Sequence, residues 1–100
     1  MKKLYNCNAK FDENNFDLVS YNTTVIHIEF DGDGEEWLCA INRASMTTAQ
    51  HIRKYYDYLY KHNFQKIAKL VEAAYHLSIA EKTKCGILHY NITTGEVYFA

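Results

Sequence analysis

An α+β fold, with a mostly antiparallel sheet of about four to five strands and a two-helix insertion before a C-terminal hairpin, follows from three features of this 100-residue sequence. Apolar residues alternate at strand period near both ends of the chain. A central block from about Thr48 to Ser78 changes to helical spacing. Turn signals rich in Asp, Asn, Thr and Gly punctuate the strands. Strands segregated from helices in this way indicate α+β rather than a doubly wound βαβ architecture.

The elements follow in order. Leu4 to Cys7 reads as a short strand, and Asp12-Glu13-Asn14-Asn15 as a polar loop. Leu18 to Phe30 is rich in β-branched residues, with Ile26, Ile28 and Phe30 on one apolar face. Asp31-Gly32-Asp33-Gly34 is a turn signal, because Asp and Gly tolerate positive φ. Trp37, Cys39 and Ile41 then alternate on the return strand. Thr47 followed by Gln50 fits a capping box that opens a helix carrying Ile52, Tyr55, Tyr56 and Leu59 on one stripe. Asn63 suits a left-handed helix end or the cap of a second helix. That second helix carries Ile67, Leu70, Val71 and Ala74 and ends near Ser78. After the charged stretch Glu81–Lys84, Gly86 to Ile92 forms a strand with Leu88, Tyr90 and Ile92 on one face. Thr93-Thr94-Gly95-Glu96 turns it back, and Val97 and Phe99 face the core.

Composition sets bounds on function. A hydrophobic fraction of 48% supplies a core without staples, and 23% charge argues against disorder. Absence of Pro and only 4 Gly leave no linker, so residues 1–100 read as a single domain. A net charge of −1 favours neither a duplex-DNA binder nor an acidic DNA mimic. The cysteines Cys7, Cys39 and Cys85 are odd in number and widely spaced, as expected of reduced thiols in a cytosol. No signal-peptide pattern follows the two N-terminal lysines, and no run approaches a membrane span. The expectation is a cytoplasmic protein of a bacterial host cell with no membrane partner.

No catalytic, cofactor or metal motif emerges. The carboxylates of Asp31, Asp33, Glu35 and Glu36 miss the EF-hand pattern, since position five is Glu35 and position twelve is Asn42. They read as a solvated hairpin tip. His27, His51, His62, His76 and His89 form no close ligand pair. His27 and His89 read as sheet-surface residues, and Cys39 as a buried inert thiol. Gly-rich phosphate loops and the serine-hydrolase elbow are absent. The expectation is therefore a protein that is not an enzyme and has no cofactor.

The segment His51 to Lys69 is the most unusual stretch. Arg53, Lys54, Lys61, Lys66 and Lys69 stand against a lone acid, Asp57, among Tyr55, Tyr56, Tyr58 and Tyr60. Tyr58 lies off the Ile52–Leu59 stripe, which predicts an exposed aromatic anchor. Arg53, Lys54, Tyr58, Lys61 and Lys66 are thus the expected partner-binding surface, taking an acidic protein patch or, alternatively, single-stranded nucleic acid.

Ser20-Tyr21-Asn22-Thr23, and then Ser45-Met46-Thr47-Thr48-Ala49-Gln50-His51, carry a resemblance across about residues 18 to 62. The chain resembles small phage and mobile-element proteins of unknown function, in which S-Y-N-T opens a sheet and S-x-T-T-x-x-H opens the helix. The resemblance implies no activity and no catalytic residue. It implies structural uses for Asn22 and Thr23 at a strand start and for Thr47 as a cap. By analogy, it suggests an inhibitor that docks on a host protein, as anti-CRISPR proteins do. A nucleic-acid-binding accessory module is the alternative, and a homodimer is compatible with either.

Overall fold

A computed structural model describes residues 1–30, 37–42, 45–80 and 87–99. It contains seven strands and two helices in the order β1 (Lys2–Lys3), β2 (Ala9–Phe11), β3 (Leu18–Ser20), β4 (Thr23–Phe30), β5 (Trp37–Ile41), α1 (Met46–Lys61), α2 (Gln65–Ala80), β6 (Leu88–Asn91) and β7 (Val97–Phe99). The strands form one antiparallel meander whose spatial order equals the chain order. Both helices lie mid-chain and pack on one face, α1 over β3 and β4 and α2 over β5 and β6. The result is a two-layer α+β domain.

Register explains the core. Phe11, Leu18, Ile26, Ile41 and Leu88 stand directly opposite one another in succession across β2 to β6. All five are essentially inaccessible and face the helices. Helices α1 and α2 close this row with Ile52, Tyr55, Leu59, Leu70, Val71 and Ala74. Between β3 and β4 the register slips: Val19 faces Thr24, whereas Leu18 faces Ile26. The extra residue is Val25, and this bulge lets Val25 and Ile26 both enter the core despite being neighbours.

Seven strands replace the four to five expected. β1 and β2 are only two and three residues long, and β1 is Lys2-Lys3, so no alternation marks them. The strand expected at Leu4–Cys7 is instead the connection between them. Leu18 to Phe30 is two strands, split by Tyr21-Asn22, a turn with neither Gly nor Pro. Phe30 and Val97, placed on the core face, are exposed to 39% and 36%; Phe30 is the last residue of β4, and Val97 lies on the edge strand β7. The turn expected at Asp31–Gly34, Glu35 and Glu36, and the stretch Glu81–Lys84, with Cys85 and Gly86, lie outside the described residues.

The cap of α1 is Ser45, not Thr47. Ser45 is extended (φ −151°), and its Oγ accepts from the Thr48 backbone N–H at 3.1 Å. Asn63 takes φ 67° after α1, the left-handed conformation that its short polar side chain tolerates. The second helix runs to Ala80, two residues past the expected end. In the β6–β7 turn, Asn91 Oδ1 accepts from Thr93 and Thr94, and Gly95 supplies φ 78°.

Leu70 is fully buried, and Lys54 is exposed on the solvent side of α1. Leu70→Ala should cost about 2–5 kcal/mol in urea unfolding, whereas Lys54→Ala should stay within about 0.5 kcal/mol of wild type.

Candidate functional site

The expected helix surface is not one site. Tyr58, expected exposed, is only 8% accessible. It packs against Phe11, Tyr5 and His62 at ring-centre distances of 5.0, 5.7 and 3.9 Å, with the Lys2 ammonium 5.8 Å away. The cause is the extra β1–β2 hairpin, which widens the sheet beside α1 and extends the helix's buried arc to Tyr58. The Arg53 guanidinium donates to the Tyr75 hydroxyl and lies against its ring. Lys61 pairs with Asp57 at 3.2 Å, and the Tyr5 hydroxyl donates to the same carboxylate at 3.0 Å. Lys66 opens α2 and sits 4.2 Å from the Trp37 ring centre. Lys54 remains exposed on α1. Lys61 and Lys66 thus engage different flanks of the helix layer, and Arg53 engages α2.

The two resemblance segments, in contrast, meet. Ser20 of the first and His51 of the second are both buried, and their Oγ and Nδ1 atoms are hydrogen-bonded at 2.7 Å. The Tyr21 ring lies over the His51 ring at 5.7 Å. Burial, and secondarily the Lys54 charge, push the His51 pKa below its ordinary value, so the imidazole is neutral near pH 7. A serine beside a histidine is a nucleophile–base arrangement in outline. Here the hydroxyl is sealed, and among the described residues no carboxylate orients the imidazole. The pair's evident work is to seat the start of α1 on β3. No local spacing signals it, because 31 residues separate the partners.

Beside this pair is a cleft of about 450 Å³ at the β1–β2–β3 end of the sheet, lined by Lys3, Cys7, Asn8, Lys10, Tyr21 and Asn22 among others. The Tyr21 backbone N–H donates to the Asn8 carbonyl at 2.8 Å, which ties the two turns together. Ser20 faces Thr23, so Tyr21-Asn22 is a two-residue loop, and Tyr21 takes φ 56° at its first position. Glycine is the favoured residue there. A bulky residue in this conformation costs on the order of 1–3 kcal/mol.

The sheet face away from the helices has its own groove, of about 190 Å³, lined by His27, Glu29, Leu38, Ala40, His89 and Tyr98. His27, Ala40, His89 and Tyr98 stand opposite one another across β4 to β7, and the small Ala40 leaves the hollow between two histidines. His89 and Tyr98 stack with centres 4.6 Å apart and planes within 3°. The two ring nitrogens of His27 meet Asp17 and Glu29, each at 3.0 Å. The Asp17 hydrogen bond, aided by Glu29 and opposed by partial burial, raises the His27 pKa, because both nitrogens serve as donors only in the imidazolium.

Cys39 lies in the core, where burial pushes its thiol up to about 12, and it is inert as a nucleophile at neutral pH. Among the described residues, no three His, Cys, Asp or Glu side chains gather as a metal would require. No described helix is long and apolar enough to cross a membrane. Fold and site together define a two-layer α+β domain with one sheet face that no described helix covers. No family model, curated protein or solved structure matches the chain.

His51 and His27 have opposite pH signatures. A lowered folded pKa at His51 makes the unfolded state bind the proton more tightly, so stability falls as pH drops below about 6.5. The His27 contribution is present below about 6.5 and is lost as pH rises through its raised pKa. In melting-temperature profiles from pH 8 to 5, His51→Gln should flatten the acid-side loss, whereas His27→Gln should steepen it.

Proposed function

We propose that this chain is a macromolecule-binding protein, not an enzyme, and that it inhibits a host protein by direct docking. The likeness of Ser20–Thr23 and Ser45–His51 to small phage and mobile-element proteins of unknown function suggests this role by analogy alone, with anti-CRISPR proteins as one instance. The observation that carries the docking reading is the uncovered face of β4 to β7. It presents a concave groove with an exposed aromatic, Tyr98, braced by the parallel His89 ring. Tyrosine held rigid at low entropic cost is a favoured interface anchor. The catalytic reading has weaker support, since the Ser20–His51 pair is sealed and the Cys39 thiol is protonated.

A protein partner is favoured over nucleic acid at this groove. Asp17 and Glu29 line or flank one wall, and carboxylates repel a polyanion. On the helix layer, the nucleic-acid reading loses support because Arg53, Lys61 and Lys66 are each engaged within the fold.

Photocrosslinking separates the sheet face from the helix face. With p-benzoylphenylalanine in place of Tyr98, ultraviolet light on a bacterial lysate should yield one discrete adduct, competed away by unlabelled wild-type chain and not by a Tyr98→Ala competitor. The same group in place of Lys54 should yield none. An adduct from position 54 alone would return the docking surface to α1. A log-affinity that falls steeply and linearly with log salt would favour nucleic acid instead.

A further inference from the structure

At the β1–β2 end of the sheet, two features that each work against stability converge on one hollow. Lys3 and Lys10 are directly opposite on neighbouring strands, on the face away from the helices. Like charges in that position repel. Neither lysine makes an ion pair among the described residues. Tyr21 occupies a glycine-favouring backbone conformation and still leaves 56% of its surface in solvent. These side chains line a hollow of about 450 Å³, within the range of small-molecule sites. Strained and self-repelling residues kept at one cavity point to a ligand that repays them.

The lining gives that ligand's chemistry. Two lysines paired directly across neighbouring strands suit an anion with more than one charged oxygen, such as a phosphate or diphosphate. The Tyr21 ring offers a flat apolar surface at the rim and is tilted against the His51 ring, with centres 5.7 Å apart. Asn8 and Asn22 supply amide donors and acceptors between the two. We propose that the cleft between the β1–β2 and β3–β4 turns binds a nucleotide, with Lys3 and Lys10 on its phosphates and Tyr21 stacked on its base. This site lies at the other end of the sheet from the β4–β7 groove and does not depend on the docking reading.

Calorimetric titration of the full chain tests it, with ADP, adenosine, inorganic pyrophosphate and a peptide of alternating Asp and Gly as probes. ADP should bind, adenosine should bind at least about tenfold more weakly, and the acidic peptide should not bind. Lys10→Gln should weaken ADP and pyrophosphate alike by about tenfold or more, while its melting temperature stays level or rises as the repulsion is relieved. Tyr21→Asn keeps a residue tolerant of the turn; it should weaken ADP and leave pyrophosphate unchanged. Absence of ADP binding up to about 1 mM would overturn the proposal. So would ADP binding that neither substitution changes, or binding of the acidic peptide in place of ADP. A melting temperature lowered in both variants together with lost binding would assign these residues a structural role and overturn it equally.

Discussion

The rotational setting of α1 about its own axis governs most of what this molecule presents to solvent. Two polar anchors fix that setting. One is the buried Ser20–His51 hydrogen bond at the helix start. The other, a turn later, is the Tyr55 hydroxyl, which donates to the Phe16 carbonyl at 2.6 Å. Losing either bond and leaving a polar atom unpaired away from water would cost on the order of 1–3 kcal/mol. Apolar contacts alone are non-directional and would tolerate a twist of the helix. With the anchors in place, Ile52, Tyr55 and Leu59 point into the sheet, Tyr58 turns under the β1–β2 hairpin, and Arg53, Lys54 and Asp57 face outward.

Legibility followed the length of each pattern. The alternation of β4 and β5, the apolar stripes of both helices, the left-handed Asn63 and the Gly95 turn were readable, because each is a local rule expressed over several residues or at one special backbone position. The buried Cys39 was readable from its place on an alternating strand. Tyr58 was misread because its burial depends on a hairpin more than forty residues earlier, and that hairpin is too short and too charged to announce itself. The α1 cap falls at Ser45 rather than Thr47 although both residue types serve as caps; the extended backbone at Ser45 decides between them. The Ser20–His51 contact has no local signature, because its partners lie 31 residues apart in the chain.

Charge is arranged along the uncovered face, not spread evenly over it. Lys3 and Lys10 stand at the β1–β2 end, while Asp17 and Glu29 gather around His27 near β4. A chain of net charge −1 thereby carries a local dipole across a single sheet. Composition averages this away. In the helix layer Asp57 offsets Lys61, while Arg53 and Lys66 keep their charge and lie against aromatic rings that attract it.

The identity of strand order and chain order also bears on how the fold is closed. Every neighbouring pair in the sheet but one is joined by a short connection, so its loop-closure entropy is small. The exception is β5–β6, where Ile41 and Leu88 pair across one strand spacing although the whole helical block intervenes between them. The non-local cost of the topology is concentrated at that seam, and it falls to the extent that α1 and α2 are already packed together when the seam forms. The helical hairpin therefore acts as a clasp: it roofs the core and also brings the last two strands to the edge of an otherwise self-propagating meander.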